Sequence, residues 1–154
     1  MNSHQTHLNL MQKALQSMDL ENFVDALELM HLTTIMKSGG PFTVFAPINV
    51  AFLNIPDKVV KLVETENNFL SSILQYHVAP GLHSLVDLLQ MTKLQTLISE
   101  DLQIKKQKGE LWINHAKVMR SDLFASNGVI HVVDRMLLPK SLDSNLVQSE
   151  LVNI

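Results

Sequence analysis

Thr43-Val44-Phe45-Ala46-Pro47-Ile48-Asn49-Val50-Ala51-Phe52 is the stretch whose reading decides the fold. Phe42 to Phe45 is a short β-prone run with apolar groups on both faces, the pattern of a strand covered on both sides. Pro47 has no N–H for a ladder and stops it. Asn49 stands where its side chain caps a short helix through Phe52 by accepting a backbone N–H. Far along the chain, Ser126-Asn127-Gly128 is a turn signal, because Asn and Gly tolerate positive φ. Val129 to Val133 after it is a strong strand run.

Before the first strand the chain reads as helix. Leu8, Met11, Leu15 and Met18 share one helical face, and Leu20, Phe23, Leu27 and Met30 repeat the spacing. Asp19 occupies the cap position of the second helix, and Glu21 suits its positive end. A short continuation covers Leu32 to Lys37, and Gly39-Gly40 ends it. After Pro56-Asp57 a helix turns Val59, Leu62 and Val63 inward. The next one begins at Asn67 or Asn68, with Phe69, Ile73 and Tyr76 on one face. Tyr76-His77-Val78-Ala79-Pro80-Gly81 leaves that helix extended, since Pro80 disfavours helix before it. Leu85, Leu88 and Leu89 form another short helix.

From Leu94 the period changes. Leu102, Ile104, Leu111 and Ile113 alternate with polar neighbours around Lys108-Gly109, which predicts a hairpin. Strands follow at Ala116 to Met119 and, more weakly, at Met136 to Leu138. Helices, one strand, helices and then clustered strands do not alternate as in a doubly wound fold. The reading is an α+β domain with helices on a mainly antiparallel sheet or wedge.

Composition narrows the function. The chain has 154 residues, no cysteine, 12 Lys plus Arg and 15 Asp plus Glu, for a net charge of −3. The length suits one domain with a self-sufficient core. Thiol chemistry and cysteine-bound metals are excluded. The acidic balance argues against an extended nucleic-acid footprint, and Lys105, Lys106 and Lys108 read as solvated hairpin lysines. Ser38 to Pro56 carries no charge, yet its glycines, prolines and asparagines forbid a membrane span. The N-terminus lacks the basic and apolar regions of a signal peptide. Among the seven histidines no His-Glu-x-x-His pattern occurs, and no nucleophile elbow or P-loop is present. His4 and His7 read as an exposed end. His131 shares a strand face with Val133.

Three segments together resemble the fasciclin-like, or FAS1, domain family. Thr43 to Phe52 is similar to its first signature, Asn127 to Pro139 to its second, and Tyr76 to Gly81 to its central tyrosine–histidine segment. The resemblance implies one domain over residues 1–139, a β-wedge flanked by several short helices, and a tail at 140–154 that docks or frays. Thr43, Phe45, Pro47, Asn49, Phe52, Asn127, Gly128, His131 and Pro139 fall on the signature positions. Ile48 and Val50 depart from a polar pattern and are expected in the core.

The resemblance also implies a non-enzymatic adhesion or protein-interaction module with no cofactor and no metal. Its partners would be cell-surface or matrix proteins or glycans, and the domain a monomer or weak oligomer. Its place would be extracellular, at a cell surface or periplasmic, with the cytoplasm open while no signal peptide is seen. Candidate contact residues are Asp122 and Leu123, where the family has an Asp-Ile pair, and Tyr76 and His77. The structural alternatives are that Asp122 caps the turn before Ser126 and that Tyr76 and His77 are buried with backbone partners. Two other functions stay open. A small-apolar-ligand or lipid-binding module needs a deep cavity between the N-terminal helices and the wedge. A hydrolase built on His131 or His77 needs two catalytic groups within reach.

Overall fold

A computed structural model describes residues 7–141. The sheet has seven strands in the order β2-β1-β7-β6-β5-β4-β3. They are β1 (Phe42–Pro47), β2 (Val78–Pro80), β3 (Lys93–Gln95), β4 (Asp101–Gln107), β5 (Glu110–Ile113), β6 (Ala116–Ala125) and β7 (Gly128–Val133). Six helices, α1 (Leu10–Leu15), α2 (Glu21–Leu29), α3 (Thr33–Lys37), α4 (Asp57–Thr65), α5 (Asn67–Gln75) and α6 (Leu85–Leu88), join a 3-10 helix over Asn49–Asn54. The α+β class and the mainly antiparallel wedge are as the sequence predicts.

β1 and β7 pair in parallel, Phe42 opposite Gly128 through Pro47 opposite Val133, and the other neighbouring pairs run antiparallel. The parallel pair is buried on both faces, which is why both strands read as continuous apolar runs. On one side Val44, Ala46, Ile130 and Val132 meet Leu10, Phe23, Leu27 and Met36 from α1, α2 and α3. On the other, Phe45 and Val133 join Leu102, Ile104, Leu111 and Ile113 from the β4–β5 hairpin. A smaller cluster centres on Val59 and Ile73 of α4 and α5.

β6 makes the wedge. Its first residues, Ala116 and Lys117, pair with β5, and Val118 to Ala125 pair with β7. Register shifts between Val118 and Arg120 and between Arg120 and Leu123 bend it, as bulges do. The β4–β5 turn puts Lys108 at φ 54° and Gly109 at φ 78°, the doubly left-handed turn whose twist suits a hairpin.

Several local expectations are corrected. α1 starts after Asn9, whose side chain accepts from the Gln12 N–H, and it buries Leu10, Met11 and Ala14. Leu15 and Met18 are exposed, because the packed face runs through Leu10, Met11 and Ala14 and the helix ends at Leu15, before Met18. Asp19 does not cap α2; that position falls on Leu20. The Asp19 carboxylate is instead gripped by both terminal nitrogens of Arg120, at 2.8 and 2.9 Å. Asn49 does not cap its own helix: its Oδ1 accepts from the Asn22 N–H at the start of α2. Val50 is exposed, whereas Ile48 packs against the core.

Met136–Leu138 is not a strand. Leu137 is buried and its N–H donates to His77 Nε2, so a side chain replaces a ladder partner. β3 was not legible as a strand, and β6 runs on to Ala125. His4 and residues 142–154 of the tail lie outside the described residues.

Candidate functional site

The candidate residues gather in two places. The first is the loop Gly81–Leu85, which three separate strands lace down. Thr43 on β1 donates its hydroxyl to the Gly81 carbonyl at 2.8 Å and accepts from the His83 N–H at 2.8 Å. His131 on β7 donates Nε2–H to the His83 carbonyl at 2.8 Å, and its Nδ1 accepts from the Asp122 N–H at 3.2 Å. Asp122 on β6 accepts the Leu85 N–H on Oδ1 at 2.8 Å, at the first turn of α6. Ser84 and Asp87 complete a reciprocal capping box on the same helix.

Asp122 lies in the bulge of β6 at φ 60°, a conformation Asp tolerates better than most residues. It therefore does not cap the turn before Ser126. Its neighbour Leu123 is half-buried against the helical core. Asp122 and Leu123 thus point to different environments, the one to α6 and the other inward.

The second place is Tyr76–His77, at the junction of α5 and β2. Both side chains are buried. The Tyr76 hydroxyl donates to the Asp101 carbonyl at 2.9 Å and accepts from Asn114 Nδ2 at 3.0 Å. His77 donates Nδ1–H to the Ile73 carbonyl at 2.7 Å and accepts the Leu137 N–H on Nε2 at 2.9 Å. The Phe23 ring lies 5.9 Å from the His77 ring, and Phe45 stacks on His131 at 5.7 Å.

The two buried imidazoles are thus locked as opposite neutral tautomers, each by an N–H that can only donate and a carbonyl that can only accept. Burial pushes the His77 pKa down to about 4, outweighing its bond to Ile73, and burial likewise lowers that of His131. Neither ring has a nitrogen left to serve as a base. The structure does not bring His77 and His131 together around a substrate-sized cleft.

The remaining signature residues lie at buried contacts and turns. Asn127 donates Nδ2–H to the Met36 and Gly39 carbonyls and accepts the Leu10 N–H on Oδ1 at 2.9 Å. It therefore ties α1, α3 and the β6–β7 turn together and does not need a positive φ. Gly128 has no room for a side chain: a Cβ there would lie 2.0 Å from the Phe42 carbonyl oxygen. Phe45 is fully buried, Phe52 packs on the helical core, Pro47 closes β1, and Pro139 is buried.

Surface features missed by the sequence reading lie beside the first cluster. A groove of about 530 Å³ runs between α6 and β5–β6, lined by Leu85, Leu89, Leu111, Met119 and Arg120 among others. Of its lining, Leu89 and Met119 are exposed, and Leu82 and Val86 are exposed on the same loop and helix α6. The signal was present as apolar residues at Leu82, Val86 and Met119 outside any buried stripe. A wholly apolar recess of about 200 Å³ lies between α4, α5 and Met136–Leu138, not under the N-terminal helices. Among the described residues no cluster of three or more His, Cys, Asp or Glu could hold a metal, and no helix is long and apolar enough to cross a membrane.

Comparison with known proteins agrees with this architecture. A solved FAS1 domain pair from the insect cell adhesion molecule fasciclin I superposes with a TM-score of 0.71 at 21% identity, over 88% of this chain and 52% of that one. Protein sll1483 of Synechocystis is 39% identical over 118 residues, 75% of this chain and 65% of that protein. Rat stabilin-2 is 38% identical over 114 residues, 73% of this chain but 8% of stabilin-2. This chain thus corresponds to a part of those larger relatives, although it spans 97% of Synechocystis sll1735, with 30% identity. A family model described as the fasciclin domain matches residues 18–139. The chain belongs to the fasciclin domain family.

Proposed function

We propose that this chain is a non-enzymatic adhesion module that engages a protein at a cell surface or in a matrix. The observation that carries the reading is the groove beside α6, whose lining includes the exposed apolar side chains Leu89 and Met119. Clustered exposed apolar side chains on a folded domain favour a partner surface. The loop beneath them is held by Thr43, His131 and Asp122, so the rim is presented on a rigid support. Asp122 acts here by fixing α6, and Tyr76 and His77 act from the core.

Relatives support the reading: mycobacterial MPB83 is a cell surface glycolipoprotein, 34% identical over 102 residues, and fasciclin I is a cell adhesion molecule. Placement outside the cytoplasm belongs to the same proposal. Against a hydrolase stand the two histidines, whose ring nitrogens are all spent on backbone. The apolar recess at α4–α5 supports a small-ligand function poorly. Its volume of about 200 Å³ is below the roughly 300–1,000 Å³ usual for such sites.

The test is retention of cells or matrix proteins by the immobilised domain, with Leu89→Asp and Met119→Asp as variants. Both positions are exposed, so the fold should survive. Wild-type retention that the paired variant abolishes is the expected result. A folded wild type that retains nothing, or a paired variant that retains as much, ends the proposal.

A further inference from the structure

The β4–β5 hairpin has a second face. Alternation turns Leu102, Ile104, Leu111 and Ile113 into the core and turns Asp101, Gln103, Lys105, Gln107, Glu110 and Trp112 away from it. Trp112 interrupts the otherwise polar outer face. It is half-buried and stands directly across the ladder from Lys105. Two adjoining depressions, of about 350 and about 310 Å³, share Lys105, Asn114 and His115 as their common wall. The first reaches Trp112 and Arg135, and the second runs on to Lys140 over the buried Tyr76.

Cations outnumber carboxylates in the lining of these two depressions. On the same outer face Lys117, across the ladder from Trp112, faces Glu110 at 3.7 Å, while Arg120 faces Asp19 at 2.8 Å. Lys105, Arg135 and Lys140 have no acidic partner within 4.0 Å among the described residues. The lining holds one carboxylate, Asp101, and that faces Lys93 at 4.0 Å. Lys105 and Arg135 thus share one depression with the single tryptophan, and Lys140 lines the adjoining one.

We propose that this groove binds an acidic polysaccharide, a chain of sugars carrying carboxylates. The flat indole offers an apolar platform for the C–H face of a pyranose ring. Lys105 and Lys140 supply point charges for carboxylates, and Arg135 supplies a planar fork that matches one. The exposed amides of Gln103 and Gln107 both donate and accept, as sugar hydroxyls require.

A peptide strand is less well served, because the backbone groups of β4, β5 and β6 at this face are already paired with one another. A nucleic-acid strand stacks successive bases on several aromatic faces, and here Trp112 is a single platform, Tyr76 being buried. The inference deepens the adhesion reading by naming a carbohydrate class for a separate face: Lys106 lines the α6 groove while Lys105 lines this one.

Trp112 is the chain's only tryptophan, so its fluorescence reports this groove alone. Failure here is thus distinguishable from failure of the adhesion assay, which depends on Leu89 and Met119. The titrant is a galacturonic-acid tetramer, with maltotetraose, hexaglutamate and a short single-stranded DNA as comparisons. A saturable change with the galacturonate tetramer and none with maltotetraose is expected. Combining Lys105→Gln with Arg135→Gln should weaken binding by about tenfold or more, since each removes a charge-assisted contact. Lys37→Gln on α3 should leave it unchanged. Trp112→Ala, checked for folding by circular dichroism, should lose binding in calorimetry. The absence of a saturable change overturns the proposal. So does an equal response to hexaglutamate, which would mark a plain cation patch, or to DNA.

Discussion

Acid should weaken this domain through one side chain above others, and the size of the effect can be worked out. His77 is fully buried, and burial holds its pKa at about 4 in the folded state, against about 6.5 in an unfolded chain. Above pH 6.5 both states keep the ring neutral, and its contribution to stability is fully present. As pH falls below 6.5 the unfolded chain takes up a proton that the folded chain refuses until about pH 4. At about 1.36 kcal/mol per unit the whole loss is about 3 kcal/mol, of which roughly 2.5 kcal/mol is gone by pH 4.5.

The assay is urea unfolding followed by circular dichroism at several pH values between about 7.5 and about 4.5. Other groups titrate in that window, His131 in the same direction and carboxylates such as Asp19 below it. The comparison is therefore with His77→Gln, which has no charge to gain. That variant should start less stable by about 1–3 kcal/mol, because a flexible amide loses rotamer freedom to reach both Ile73 and Leu137 and leaves part of the ring's buried volume unfilled. Its stability should then fall by roughly 2.5 kcal/mol less than the wild type's over the same range. Parallel pH profiles for the two proteins would refute the reasoning and place the ring in contact with solvent.

Other substitutions test the remaining architecture. Asn127→Ala strands the Leu10 N–H and the Met36 and Gly39 carbonyls, and chemical denaturation should show a loss of about 2–4 kcal/mol. Gly128→Ala drives a Cβ into the Phe42 carbonyl; the product should fail to give a cooperative melt, whereas Gly109→Ala, with open space around it but a positive φ, should cost only about 1 kcal/mol. Asp122→Ala removes the partner of the Leu85 N–H; hydrogen exchange should quicken in α6 while the β1–β7 amides stay protected. Asp19→Asn breaks a half-exposed ion pair and should cost less than about 1 kcal/mol in urea unfolding.

The legible parts of the fold were those where one period runs uninterrupted. β7 and the β4–β5 hairpin show this, as does α2 with Leu20, Phe23 and Leu27 inward. The failures have a common cause: polar side chains here satisfy backbone groups far away in sequence. Asn49 suits a local cap by type, but it caps α2, and Asp19 is taken by Arg120. Asp122 reads as a turn residue, yet a bulge carries it to α6. Met136–Leu138 has the apolar content of a strand, but a histidine ring supplies the acceptor for its buried N–H. The segments around Thr43, Tyr76 and Asn127 were recognisable together, because those residues serve geometry that no other side chain fits. The outer groove at Trp112 was visible only as a break in alternation between Leu111 and Ile113.

The parallel pairing of β1 with β7 sets an order on synthesis. β1 leaves the ribosome with most of the domain still to be made, and the strand that covers its edge is the last among the described residues. At roughly 5–20 residues per second the interval lasts several seconds. During it Val44 and Phe45 have no β7 beside them, and that exposed strand is what a holding chaperone would recognise. A message cut anywhere before Val133 would release a chain with its central seam open. The β1–β7 pairing thus closes only when the strand that ends at Val133 has been made.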